Sequence, residues 1–410
     1  MIELELDELG PPTEFVLSPD EGRLLAASGV VTAVPSLYAP GRWLVGPAGK
    51  VGAARVGNVV VRIRPKVEIS RLLFMLGYSL HDAAWQASTV DVGEALDLVP
   101  AIAQALWRQV SRAIHQGLLP GYVTCEESSL VLRGRLLESA QLARHHGQPL
   151  PLEISYDEFT VDIPENQILR TACERMLLVP RVDAGSSRVL RRVLGDFVDV
   201  RSIRRGDPVP VWQPTRINAR YHAALRLAEL VLRATSVEHT AGSVAVNGFL
   251  LNMAQLFEDF VTVALREAIE ASYGGTVVGQ SSHHLDEAGR VLLKPDMVWH
   301  VDGKTAAVID AKYKAEKPSG FPNADIYQLL AYCTALGLRT GFLVYAAGNE
   351  QPTRYVICQV GIEIICYALN LSEPPNVFLA QIGHLASVIT AASRLCSCLL
   401  SGRCCLTHNS

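Results

Sequence analysis

Three short segments carry the side chains best suited to chemistry: Lys294-Pro295-Asp296, the dipeptide Asp302-Gly303, and Val308-Ile309-Asp310-Ala311-Lys312. The outer two are β-rich, and Asp-Gly between such runs is a strong hairpin signal. Side chains on a strand alternate faces, so Asp310 and Lys312 share one face while Ile309 and Ala311 share the other. A turn at Asp302-Gly303 folds Asp296 back toward Asp310. Two carboxylates and one ammonium then converge, and gathering like charges is costly unless something compensates them. Mg²⁺ would do so, because it accepts one or two protein carboxylates and completes its octahedron with water and phosphate oxygens. That chemistry suits phosphodiester hydrolysis, with Asp296, Asp310 and the Ala311 carbonyl holding the metal and a bound water acidified by it. Lys312 would position or help deprotonate that water, or stabilise charge in the transition state. Asp-x-Lys alone is common; a Pro-Asp 14 residues earlier on a paired strand makes it more specific. Pro295 fits a strand start or edge. The alternative is a surface hairpin with ordinary salt bridges, against which the apolar Val308-Ile309 marks a strand at least half buried.

The elements around this hairpin read as a small α/β domain. An amphipathic helix is expected over 248–272, with Phe249, Met253, Leu256, Phe257, Phe260, Val261, Ala264 and Leu265 at helical spacing. Strand-like runs follow at 291–301 and 305–313, then a helix over 325–335, strands at 341–345 and 354–360, and a last helix over 377–393. The first 70 residues read as strands and turns, with β-rich runs at 30–34, 43–45 and 59–64. Residues 71 to about 235 read as mainly helical, with periodic stretches at 96–119, 166–178 and 216–234. Gly49-Lys50 resembles a phosphate-binding loop only superficially. Leu44 stands where the first glycine belongs and Val51 where Ser or Thr belongs, so nucleotide binding of that kind is not expected. Between 188 and 205 lie Arg188, Arg191, Arg192, Arg201, Arg204 and Arg205, opposed only by Asp196 and Asp199. Both a phosphate-facing patch and a solvated helix and loop fit that run.

Composition narrows the classes. A chain of 410 residues is long enough for two or three domains. With 49% apolar and 19% charged residues, wholesale disorder is excluded. A net charge of -4 excludes a generally basic, histone-like binder but not a local basic surface. The acidic start, with Glu3, Glu5, Asp7 and Glu8, is unlike a signal peptide, and no long uncharged apolar window stands out, so a cytoplasmic protein without a membrane segment is expected. Nine cysteines form no CxxC pair, and reduced thiols are the expectation. A zinc knuckle from Cys396, Cys398, Cys404, Cys405 and His408 fits the usual ligand spacing poorly, which favours a frayed tail. His145-His146 and His283-His284 lack metalloprotease spacing and read as structural or exposed. Positive charge comes from 30 Arg and 7 Lys, with no lysine between Lys66 and Lys294 and then five within 294–317. A chain that prefers Arg, yet uses Lys here, points to a need for an amine.

Pro295-Asp296 followed by Asp310-Ala311-Lys312 resembles the PD-(D/E)xK nuclease signature. Gln328-Leu329-Leu330-Ala331-Tyr332 resembles the Gln-x-x-x-Tyr element of its RecB-like branch. Four further stretches sharpen the likeness: Arg64-Pro65-Lys66-Val67, Leu132-Arg133-Gly134-Arg135-Leu136, Tyr156-Asp157-Glu158-Phe159 with Asp162 and Asn166, and Ile309-Asp310-Ala311-Lys312-Tyr313-Lys314. Together they resemble the McrC family, the nuclease subunits of McrBC modification-dependent restriction systems. The resemblance runs from about residue 15 to 375.

It implies a multi-domain α/β protein with a β-rich N-terminal part (1–75), a helical middle (76–240), a PD-(D/E)xK nuclease domain (241–375) and a C-terminal helix with a Cys-rich tail (376–410). It implies docking on a McrB-like AAA+ partner through the first two regions, with DNA contact from the second. That partner binds and hydrolyses GTP and recognises double-stranded DNA carrying modified cytosine, while the McrC-like subunit stimulates hydrolysis and cuts the DNA. Glu258 stands where such nucleases place a helical acid that joins the metal site; a plain polar position on an amphipathic helix is the other reading. Gln328 would touch the DNA backbone or pin the hairpin, Tyr332 would pack, and Lys314 would meet phosphate or solvent. Two other functions stay open: a stand-alone repair or recombination nuclease of the same fold, and a non-catalytic scaffold that activates a GTPase.

Overall fold

A computed structural model describes residues 1–79, 97–146, 148–235, 246–313, 323–346 and 352–401, with side chains as far as 393. Lys314, Lys317 and the tail residues Cys404, Cys405 and His408 lie outside the described residues, as do the side chains of Cys396 and Cys398.

Strands β1 (Ile2–Asp7) and β2 (Thr13–Val16) lead into a helix, α1 (Pro19–Ser28), which a strand-and-turn expectation for this region leaves out. A complete capping box starts it. The Ser18 hydroxyl accepts from the Glu21 amide at 3.3 Å, and the Glu21 carboxylate accepts from the Ser18 amide at 2.9 Å. Then come β3 (Val31–Pro35), β4 (Arg42–Pro47), β5 (Lys50–Val56), β6 (Val59–Arg64) and α2 (Ile69–Ser79). Gly49 lies in the bend between β4 and β5 with φ +69°, and the Lys50 ammonium donates to the Gly29 carbonyl at 2.8 Å.

The middle of the chain is not helical throughout. Helix α3 (Leu98–Ile114) is followed by β7 (Gly121–Ser129), β8 (Arg135–Leu136), α4 (Glu138–His145) and β9 (Leu152–Thr160). The three strands form one antiparallel sheet in the order β7-β9-β8. Its outer half is exposed on both faces, so it lacks the apolar alternation that announces a strand. Helices α5 (Pro164–Leu177), α6 (Ala184–Leu194) and α7 (His222–Thr235) complete this region, and they pack with α3 around Ile102, Leu106, Ile168, Leu169, Leu190, Leu225 and Leu232.

Strand β10 (Val246–Asn252) comes before α8 (Met253–Tyr273), which the apolar stripe predicts, although its first residues are strand rather than helix. The Asn252 side-chain amide oxygen Oδ1 caps it, accepting from the Ala254 and Gln255 backbone amides. The remaining elements are β11 (Thr276–Gly279), β12 (His283–His284), β13 (Leu292–Leu293), β14 (Met297–Val301), β15 (Lys304–Lys312), α9 (Asn323–Leu336), β16 (Thr340–Tyr345), β17 (Thr353–Val356), β18 (Glu363–Ala368) and α10 (Pro375–Ser401).

Two compact units result, and they cut across the linear order of the chain. One comprises Met1–Ile2, Ala53–Val60 and Asp97–Phe249; the other comprises Glu3–Gly52, Val61–Leu96 and Leu250–Ser410. The second unit contains a six-stranded mixed sheet in the order β11-β14-β15-β16-β18-β17. β15 pairs antiparallel with β14 and parallel with β16, the parallel step being made through α9. Val298, Val308, Leu329, Tyr332, Cys333, Leu343 and Tyr345 pack together between this sheet and α9. Gly341 permits the approach, since a Cβ there would lie 2.6 Å from the Cys333 sulfur. By alternation, Asp310 and Lys312 follow Val308 on the α9 face. In α10, Pro375–Ser393 is by length and composition apolar enough to cross a membrane, contrary to the expectation from sequence. One face of it, with Phe378, Ile382, Leu385 and Ile389, is buried, and Phe378 stacks on Phe260 of α8 at 4.9 Å.

Candidate active site

The hairpin β14–β15 turns through two residues, with Val301 paired to Lys304. Asp302 and Gly303 both have positive φ (49° and 73°), the backbone a tight hairpin of this hand requires. Pairing runs His300 with Thr305 and then Trp299 with Ala307, so Ala306 is an extra residue in β15, a bulge. Beyond it Met297 pairs with Ile309, which sets Asp296 beside Asp310. The Asp296 carboxylate oxygen Oδ2 accepts from the Ala311 amide at 2.8 Å. The Lys312 ammonium lies 2.6 Å from Asp310 Oδ2. That ion pair is close but poorly aligned, for Oδ2 is buried with no hydrogen-bond partner among the described residues.

Both acids are buried, Asp310 at 1% exposure. Burial, and then the neighbouring Asp296 charge, push the Asp310 carboxyl up to about 7 despite Lys312. Asp296 is raised as well, first by burial and further by Glu258, with the Ala311 hydrogen bond and Lys312 acting the other way. Burial alone would depress the Lys312 ammonium, but Asp310, Asp296 and Asp325 hold it above its ordinary value. Lys312 is therefore a cation at neutral pH, suited to stabilising anionic charge rather than to removing a proton. Glu258, half-buried on α8, is raised by burial and feels both Lys312 and Asp310. The described residues thus bring together Asp296, Asp310, Lys312 and Glu258. Among the described residues no three His, Cys, Asp or Glu groups make a ready-made metal cage. Two buried acids, both raised by burial and with Glu258 acting on Asp296, fit a hard divalent cation that keeps most of its own waters.

A family model described as "McrBC 5-methylcytosine restriction system component" matches residues 47–346, most of the chain. The chain belongs to the McrBC family. Its fold is similar to that of a chain in the half-complex from the tetradecameric assembly of Thermococcus gammatolerans McrB AAA+ hexamers with bound McrC. That match has a TM-score of 0.58 and 16% identity, covering 94% of this chain and 100% of that one. The cryo-EM structure of the Thermococcus gammatolerans McrBC complex also matches, with a TM-score of 0.41 and 18% identity over 65% of this chain and 88% of that one. No curated protein matches.

In this McrBC-family chain the accessory residues have distinct positions. Gln328 is exposed and donates from its side-chain amide to the Tyr332 hydroxyl at 2.9 Å. Tyr332, buried, donates to the Lys294 carbonyl at 3.1 Å, two residues before Asp296. The pair therefore holds the start of the hairpin. Sequence reasoning passes over Asp325, which is buried in the first turn of α9 and accepts from the Tyr345 hydroxyl at 3.1 Å. Tyr345 is the register partner of Lys312. The available signal was an acid at the head of the same helix that carries Gln328 and Tyr332. Glu8 was also missed: it is buried, and one oxygen accepts from the Lys66 amide at 3.0 Å and the Tyr313 hydroxyl at 3.2 Å. It links the Arg64-Pro65-Lys66 stretch to the residue after Lys312. His283 bonds to Ser281, and His145 to the Glu153 carboxylate.

Proposed function

We propose that this McrBC-family chain is the Mg²⁺-dependent endonuclease subunit of a modification-dependent restriction system, built on a PD-(D/E)xK domain. It would cut double-stranded DNA containing modified cytosine when assembled with a McrB-like AAA+ partner. That partner binds GTP, and this chain stimulates its hydrolysis. One observation carries the reading: two buried acids and a charged lysine converge on a single paired hairpin. Asp296, Asp310, Glu258 and the Ala311 carbonyl would hold the metal, which when bound acidifies a water and screens phosphate charge. Asp296 is kept in place by the Ala311 amide, so one oxygen has a fixed position. Lys312 supplies a cation beside the scissile phosphate, and Gln328 and Tyr332 keep the strand bearing Asp296 in register.

The test is reconstitution with a McrB-like AAA+ protein, GTP and Mg²⁺, on methylated and unmethylated duplexes. Asp310→Ala is expected to lower cleavage by more than about a hundredfold, beyond what losing a supporting residue around a metal costs. Binding to the partner should survive, because Asp310 is buried. Unchanged cleavage by Asp310→Ala would refute the site. Cleavage by the parent protein without partner or GTP would instead favour a stand-alone nuclease. Stimulated GTP hydrolysis with no cleavage at all would favour a scaffold.

A further inference from the structure

Helix α6 carries three arginines for which the proposed reaction has no role. Its inner side is Ser186, Leu190 and Val193, all buried, while Arg188, Arg191 and Arg192 are exposed. Spacings of three and four residues set them on one helix face. The helix contains no acid, and its capping Asp183 is engaged with the Ser186 amide at 2.8 Å. Among the described residues none of the three makes an ion pair or a hydrogen bond. The chain treats its arginines differently elsewhere, pairing Arg23 with Asp20, Arg144 with Glu153, Arg170 with Glu174 and Arg201 with Asp162. In a protein of net charge -4, this face is an uncompensated cationic surface.

The neighbouring helix α5 fixes the segment that follows α6, in which Arg205 donates to the Asn247 side-chain oxygen at 2.6 Å. The Arg170 guanidinium donates to the carbonyls of Phe197 and Val200, Ser202 donates to Glu174 at 2.6 Å, and the Ile203 amide donates to Thr171 at 2.9 Å. These bonds lay the segment after α6 along α5 and bring Arg205 near Arg175. Burial first, and then Arg205, push the Arg175 guanidinium below its ordinary value.

We infer that the outer face of α6 binds the phosphate backbone of duplex DNA without reading bases. Guanidinium groups match phosphate as two-pronged donors. Arg188 and Arg192 lie about 6 Å apart along the helix axis, enough to reach neighbouring phosphates spaced about 3.4 Å along one strand. No large apolar side chain is exposed on α6, so the face lacks the buried anchors on which protein partners dock. The choice of DNA among polyanions rests on the nuclease proposal; the affinity for phosphate does not.

The test uses the full chain carrying Asp310→Ala, without divalent metal, and a short fluorescent duplex titrated at increasing salt. Substituting Arg188, Arg191 and Arg192 together by Ala should flatten the slope of log affinity against log salt by about 2.7, since each phosphate contact contributes about 0.9. The loss should be equal on methylated and unmethylated duplexes, the Lys triple variant should keep the parent slope, and the melting temperature should not move. An unchanged slope, or no duplex binding by the parent chain, overturns the inference. So does a variant that binds DNA normally but fails to assemble with the AAA+ partner, because the face would then be a protein contact. Failure of cleavage in the wild-type chain would sink the nuclease proposal and leave this slope where it is.

Discussion

Asp310 holds a charge conflict that the metal-free protein cannot relieve. Its folded-state value of about 7 lies above the ordinary carboxylate value of 3.8. The folded chain therefore binds that proton more tightly than the unfolded chain does. The stability this contributes is fully present below the unfolded value and is lost as pH rises through about 7. At about 1.4 kcal/mol for each tenfold change in proton affinity, the effect is a few kcal/mol at most. Asp310→Asn, which cannot ionise, should gain in melting temperature relative to the parent as pH rises across this window in chelator. Added Mg²⁺ should shrink the gain by stabilising the parent alone. A constant difference across the window would mean that neither burial nor Asp296 raises the Asp310 carboxyl in the folded protein. At this scale the sequence was informative: Asp296, Asp310 and Lys312 were each identifiable by type and spacing. The charge state of Lys312 was not, because it turns on burial set against Asp310, Asp296 and, from another element, Asp325.

The hairpin shows where legibility ends at the scale of elements. Its turn was readable from Asp302-Gly303, and its strands from their apolar runs. The register was not. Counting back from the turn in strict pairs would set Asp296 opposite Ile309, with its side chain on the wrong face. The extra residue Ala306 shifts the count by one and brings Asp296 to Asp310. Nothing in the residue types around Ala306 marks it as a bulge. By contrast, the Ser18 and Glu21 capping box was legible and α1 still went unrecognised, while the exposed β7-β9-β8 sheet had little apolar pattern to read. The turn also yields a test. A side chain at Gly303 would meet nothing within 4 Å, so the only cost of one is the left-handed backbone. Gly303→Val should destabilise by about 1–2 kcal/mol in chemical denaturation, and Gly303→Asn should come close to neutral. Equal losses would show that space, not conformation, limits the position.

At the scale of the whole molecule, the unit that holds the hairpin is built from both ends of the chain. Phe74 and Tyr78 of α2 lie against Phe260 of α8, and the Tyr78 hydroxyl donates to Glu267 at 2.6 Å. Glu8 reaches Tyr313, the residue after β15. A fragment starting at Leu250 would leave these aromatic faces bare. It should be insoluble or uncooperative in thermal melting, and co-expression with residues 1–96 together with a bridged 53–60 segment should restore a cooperative transition. A stable fragment from Leu250 onward would show that the N-terminal contacts are dispensable.

That discontinuity also sets the rules for anyone wishing to make this protein smaller. Cutting deeply from either terminus removes part of the unit that holds the β14–β15 hairpin. A minimal version has to lose its interior stretch and keep its beginning sewn to its end.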